Sequence, residues 1–170
     1  MRERGSSWTR WLWLSAVVVA LDLATKAWVS AAFRYGEVRE VTPFFNLVLV
    51  HNAGAAFSFL AQAGGWQRWF FTAVAVGISA LLVWMLRKPG NAPSLSCGLA
   101  LVLGGALGNL YDRVTLGYVV DFVQLHAAGY YFPAFNVADS AITVGVVLLV
   151  WDSLRPAARA PAAAAPQEKP

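Results

Sequence analysis

Apolar residues fall into four long runs separated by shorter mixed segments. The runs cover about residues 11–33, 69–86, 95–111 and 136–154. A helix needs roughly 20 mostly apolar residues to cross the hydrocarbon of a bilayer, and each run approaches that length. The first holds only Asp22 and Lys26 as charges, the second and third hold none, and the fourth carries Asp139 near one end and Asp152 near the other. The pattern predicts four transmembrane helices. Between the first two runs, "EVREVTPFFNLVLVHN" (residues 37–52) is rich in Val and Phe and broken by Pro43, which predicts one or two strands on the outer membrane surface. The segment after Pro156 is Ala- and Pro-rich and is expected to be a disordered cytoplasmic tail over residues 156–170.

The basic residues give the runs a direction. Arg2, Arg4, Arg10, Arg87, Lys88, Arg155, Arg159 and Lys169 fall on one side of a four-span arrangement, against Arg34, Arg39, Arg68 and Arg113 on the other. The richer side is cytoplasmic by the positive-inside bias, so both termini are expected there and the loops at about 34–68 and 112–135 outside. A charged pair inside the first run argues for a retained helix rather than a cleavable signal peptide.

Composition agrees. The chain is 58% hydrophobic and 13% charged, against about 45–50% and about 25% in soluble domains. At 170 residues it is expected to form one membrane domain, residues 1–155, ahead of the tail. The net charge of +4 does not signal nucleic acid, because the basic residues flank apolar runs and form no stripe. Cys97 is the single cysteine, in the apolar "SLSCGLAL", so no intrachain disulfide or cysteine metal site follows and a packing role is the simpler account.

Ionisable groups in or beside a membrane are costly and therefore candidates for function. Asp22 and Lys26, four residues apart, can pair on one helix face; Lys26 can alternatively snorkel to the outer interface, and structural and substrate-contacting roles both stay open. Ala100, Gly104 and Gly108 form a small-residue stripe that lets helices approach closely and would carry Asn109, Asp112 and Arg113 toward a neighbouring helix. Arg113 offers a fork of donors for carbonyl or carboxylate oxygens, with pairing to Asp112 or a lipid headgroup as the alternative. Asp121, in "GYVVDF", and Asp139, in the first turn of the fourth run, are both expected at the outer side. The helix dipole alone would favour Asp139 there. Two carboxylates brought together do not both ionise easily, and such a pair can activate water and protonate a leaving amine. On the residues alone, a working pair and separate structural or ion-handling roles are both open. His51 and His126 lack zinc spacing, Ser58 and Ser140 lack a nucleophile elbow, and two aspartates are too few oxygens for a hard cation, so no metal is expected.

The blocks "NAGAAFS" (52–58), "GGALGNLYDR" (104–113), "GYVVDF" (117–122) and "FNVADS" (135–140) stand in an order and spacing that resembles lipoprotein signal peptidase, the bacterial type II signal peptidase family, over about residues 11–154. "DLATK" (22–26) departs from that family's first-helix motif, which has Gln and Ser where this chain has Leu23 and Thr25. The resemblance implies an aspartic endopeptidase of the bacterial inner membrane, with four transmembrane helices and a small extracytoplasmic β-cradle. It implies removal of the signal peptide from diacylglyceryl-modified prolipoproteins just before the lipidated cysteine, without metal or cofactor, with sensitivity to globomycin. By the same resemblance Asp121 and Asp139 are the catalytic pair; Asn52, Gly54, Asn109, Arg113 and Asn136 line the substrate site; Asp22, Lys26, Gly104 and Gly108 support it. The expected partners are the prolipoprotein and membrane lipids, with the chain acting as a monomer. The segment 37–60 is expected to lie on the membrane and clamp the lipidated cysteine, and Trp66, Trp69 and Tyr130 suit that interface. The alternatives are a small proton-coupled transporter or membrane assembly factor, which predicts charges spread through the membrane depth, and a scaffold bundle, which predicts that Asp121 and Asp139 each tolerate Asn.

Overall fold

The computed structural model describes residues 8–54 and 64–154. The basic residues Arg2, Arg4, Arg155, Arg159 and Lys169, Ser58, most of the "NAGAAFS" block and the 156–170 tail lie outside those described residues. The elements, in chain order, are α1 (Thr9–Ala32), β1 (Val38–Thr42), β2 (Phe45–Asn52), α2 (Trp66–Leu86), α3 (Pro93–Thr115), β3 (Val119–Ala127), β4 (Tyr130–Tyr131) and α4 (Val137–Ser153). Helices α1, α2 and α3 are long and apolar enough to cross a bilayer; α4 is apolar but has 17 residues.

Helix α3 is the centre of the bundle, packing against α1, α2 and α4. Its small residues make this possible on two faces. Toward α1, a Cβ on Gly104 would come within 2.7 Å of the Val18 Cβ, and one on Gly108 would meet an Asp22 carboxylate oxygen at 2.5 Å. Toward α4, a Cβ on Gly98 would lie 2.9 Å from the Gly145 carbonyl oxygen, and one on Gly105 would strike the Ala138 carbonyl oxygen. The expected stripe thus serves α1, and a second one, Gly98 and Gly105, serves α4. The Ser15 hydroxyl donates to the Ala100 carbonyl at 2.8 Å, a further polar tie between α1 and α3. At one end of the bundle a cluster of Leu82, Leu86, Leu99, Val102 and Leu103 joins α2 to α3, and the Ser94 hydroxyl donates to Asp152, tying α3 to α4. Large apolar residues elsewhere face outward, among them Trp13, Val17, Leu21, Val76, Leu81, Trp84, Val147 and Trp151. That is the pattern of helices solvated by lipid rather than water.

The four strands form an antiparallel array in the order β1-β2-β3-β4. Residues 37–52 form the two strands their Val and Phe content suggested. Strands β3 and β4 lie within 112–135, and α3 runs on to Thr115, so Asp112 and Arg113 are helical residues. The chain passes from α1 into β1, from β2 toward α2, from α3 into β3 and from β4 into α4, so the sheet sits at one end of the bundle. Val29 and Phe33 of α1 pack with Leu49, Val120 and Phe122 to anchor it. Just before α4, Phe135 bridges to β3: its carbonyl accepts from the Val123 amide at 2.8 Å, and its amide donates to the Val123 carbonyl at 2.9 Å.

A methyl group at Gly105 must push α4 away, whereas nothing lies within 4 Å of a Cβ at Gly77 in α2. We expect Gly105→Ala to lose about 1–3 kcal/mol of stability, and Gly77→Ala to be neutral or to gain up to about 1 kcal/mol. Thermal unfolding of the two purified variants in detergent checks this, and equal midpoints would contradict the close α3–α4 contact.

Candidate active site

The site forms where the sheet meets the C-terminal end of α3 and the N-terminal end of α4. Asp121 lies in β3, paired in register with Val50 of β2, beside an irregularity between Leu47 and Val50. It is 2% exposed. Its two oxygens are held separately: Oδ1 accepts from Asn136 Nδ2 at 2.7 Å and Oδ2 from Asn52 Nδ2 at 3.1 Å. Burial, and after it the charge of Asp139, pushes the Asp121 carboxyl up to about 7.

Asp139 occupies the third position of α4. Asn136 caps that helix: its Oδ1 accepts the Asp139 amide at 2.9 Å, and Asp139 Oδ2 accepts the Asn136 amide at 3.3 Å. This reciprocal capping box supplies a local reason for an acid at that position. Capping engages one carboxylate oxygen. The other, Oδ1, accepts from Asn109 Nδ2 of α3 at 2.8 Å. Asn109 Oδ1 in turn accepts from Asn136 Nδ2 at 3.2 Å. Asn136, fully buried, therefore touches Asp121 with its side-chain nitrogen and Asp139 with its backbone nitrogen, and Asn109 closes the ring.

Both aspartates open onto one cavity of about 850 Å³, which Asn52, Asn109 and Arg113 also line. Its remaining wall is largely apolar, with Val50, Leu125, Phe132, Phe135 and Ile142. Arg113 does not pair with Asp112. Its Nη2 donates to the Gly54 carbonyl at 3.1 Å and its Nη1 to the Asn109 carbonyl at 3.3 Å, while the guanidinium lies 5.4 Å from the Phe71 ring centroid. Gly54 is buried, and its amide donates to Asn52 Oδ1 at 3.0 Å. The expected site residues Asn52, Gly54, Asn109, Arg113 and Asn136 are thus all within the network around the two acids.

Asp22 and Lys26 pair at 2.7 Å and are almost wholly buried, so Lys26 does not snorkel. The ammonium also meets Asp112 Oδ2 at 2.9 Å. Asp112 was not marked out as a candidate, because it stands beside Arg113 in the sequence and a local pair was the obvious partner. No spacing along the sequence links it to its neighbours in space, Lys26 and the Val120 amide.

The other polar groups fit their simpler accounts. His51 stacks between Tyr35 and Tyr118, with centroids at 4.7 and 4.0 Å. His126 stacks on Tyr131 and reaches Asn46 Oδ1 at 3.2 Å. The Ser140 hydroxyl donates to the Asn136 carbonyl at 3.0 Å. Trp66, Trp69 and Tyr130 are exposed.

Several known proteins are similar to this chain over most of its length. Lipoprotein signal peptidase of Burkholderia thailandensis is 49% identical over 154 residues, covering 91% of this chain and 93% of that protein. Its namesake in Paraburkholderia phymatum is 50% identical over the same length. Two solved structures, each described as a bacterial membrane enzyme, share the fold. One, at 2.3 Å resolution, has a TM-score of 0.80 with 33% identity, covering 91% of this chain and 93% of that chain. The other, at 1.9 Å, has a TM-score of 0.78 with 32% identity, covering 91% and 99%. The family described as Signal peptidase (SPase) II matches residues 14–155. On that match and these relatives, the chain belongs to the signal peptidase II family.

Proposed function

We propose that this chain is a membrane aspartic endopeptidase that removes the signal peptide from diacylglyceryl-modified prolipoproteins, cutting just before the lipidated cysteine. One observation carries the reading: Asp121 and Asp139, from a strand and a helix, share Asn136 as a partner and open onto one largely apolar cavity. Such a cavity suits a substrate that is itself an apolar segment with a lipid at its outer end.

In this mechanism Asp121, its carboxyl raised by burial, holds the proton. Asp139, held by Asn109 and the Asn136 amide, is placed to accept a proton from the attacking water. Asp139 removes a proton from a water as the water oxygen bonds to the scissile carbonyl carbon. Asp121 gives its proton to the carbonyl oxygen, producing a tetrahedral gem-diol. When the C–N bond breaks, Asp139 returns its proton to the leaving nitrogen and Asp121 recovers one from the diol. The products are a free amine on the lipidated cysteine and a new carboxylic acid on the signal peptide, which then loses its proton to water. Asn52, Gly54, Asn109, Arg113 and Asn136 hold the substrate backbone in register.

The chain would sit in the bacterial inner membrane as a monomer, α4 serving as the fourth span, with both termini cytoplasmic and the sheet at the outer face among lipid headgroups. The arrangement disfavours a proton-coupled transporter, since Asp22, Lys26, Asp112, Asp121 and Asp139 all gather near the sheet end of the bundle.

Purified Asp121→Asn and Asp139→Asn proteins, incubated with lipidated prolipoprotein, are expected to lose about 100- to 10,000-fold in cleavage rate while staying folded. In the unsubstituted enzyme the rate should fall as pH rises through about 7, because Asp121 then loses the proton it must donate. Near-normal turnover in either variant, or a flat alkaline side, would defeat the paired-acid mechanism. For the orientation, cysteines placed at Ala128 and Pro89 in a Cys97→Ala background should differ: a membrane-impermeant maleimide on intact spheroplasts labels the first and not the second. The opposite labelling would invert the topology.

A further inference from the structure

Beside the two acids lies a buried charged cluster that cleavage chemistry does not itself use. The Lys26 ammonium has three acceptors: Asp22 Oδ2 at 2.7 Å, Asp112 Oδ2 at 2.9 Å and Asn109 Oδ1 at 3.0 Å. The contact with Asn109 is a hydrogen bond, and the two carboxylates face the ammonium at ion-pair distance. Each partner then has a second contact. Asp22 Oδ1 accepts the Ala138 amide at 2.9 Å, and Ala138 immediately precedes Asp139. Asp112 Oδ2 accepts the Val120 amide at 3.1 Å, and Val120 immediately precedes Asp121. Asn109, whose oxygen Lys26 holds, donates to Asp139 Oδ1. Gly108 gives Asp22 the room to reach this position.

Burying three charges among helices is a poor way to gain stability, since an apolar set of similar volume commonly does as well or better. The cluster does something an apolar set cannot: it grips the backbone on the N-terminal side of both acids from one point. We propose that Lys26, Asp22 and Asp112 form a positioning unit that sets the separation of Asp121 and Asp139 through the Val120 and Ala138 amides. The inference rests on the peptidase reading given above. A misplacement of about 1 Å costs on the order of 100-fold in rate, so the unit acts on kcat.

The two carboxylates are not equivalent, and that gives a sharp test. Asp112 makes both contacts with one oxygen, so an asparagine oxygen in the same place can replace it. Asp22 uses its two oxygens separately, and an amide nitrogen would face either the ammonium or the Ala138 amide, donor against donor. We would measure kcat and KM on lipidated prolipoprotein for Asp112→Asn, Asp22→Asn and Asp112→Leu, with Asp121→Asn as reference. The expected result is kcat within about threefold for Asp112→Asn and down by about 100-fold for the other two, with KM little changed. An ion pair acting only on stability would lower the melting temperature of Asp22→Asn and Asp112→Asn alike and leave kcat intact, and that outcome overturns the proposal. If Asp22→Asn cannot be purified folded, the Asp112 pair decides: a loss in Leu that Asn restores supports the unit, and equal rates overturn it. If Leu also fails to fold, Asp112→Ala replaces it and is read in the same way against Asp112→Asn. Full activity in Asp121→Asn would instead bring down the paired-acid reading itself.

Discussion

A carboxylate at the edge of an apolar medium must find donors, and the site is built from the way two carboxylates share theirs. Asn136 is fully buried between them, giving its side-chain nitrogen to Asp121 and its backbone nitrogen to Asp139. One residue can do both because Phe135 bridges to Val123, which brings the start of α4 against β3. Without that bridge, Asp139 is an ordinary helix-capping acid and Asp121 a costly buried one. With it, the charge of Asp139 adds to the burial of Asp121, and both push the Asp121 carboxyl up.

The bundle exists in a form that delivers these groups to one place. Helix α3 meets α1 through Gly104 and Gly108 and α4 through Gly98 and Gly105, so two neighbours approach within side-chain reach of its C-terminal turns. Those turns carry Asn109, Asp112 and Arg113, each with a different target: Asp139, Lys26 and the Gly54 carbonyl. The sheet adds Asp121 and Asn52 from above, anchored on α1 by Val29 and Phe33. The polar network is thus assembled from α1, α3, α4, β2 and β3, with α3 contributing three side chains.

The helices were legible because lipid demands uninterrupted apolar length, and the two acids stood out because each lies in an apolar setting. Strand β3 was less visible. Its first half, Val119–Phe122, is buried and nearly continuous in apolar residues apart from Asp121, so the alternation that marks a half-exposed strand is missing. The second glycine face of α3 was hidden because a single four-residue stripe traces one neighbour at a time. Asp112 was hidden for a different reason: spacing along a helix reveals pairs such as Asp22 and Lys26, but says nothing of a partner brought in by tertiary packing. The capping role of Asp139 and its place beside Asp121 are separate facts, and only the second needs the fold.

The raised carboxyl of Asp121 can be observed directly. Carboxyl-carbon NMR of the protein in detergent, labelled at aspartate, follows Asp121 as pH is raised. The account predicts a titration near 7 that moves down when Asp139 is replaced by Asn. Titration of Asp121 in the ordinary range, about 4, unmoved by that replacement, would contradict it.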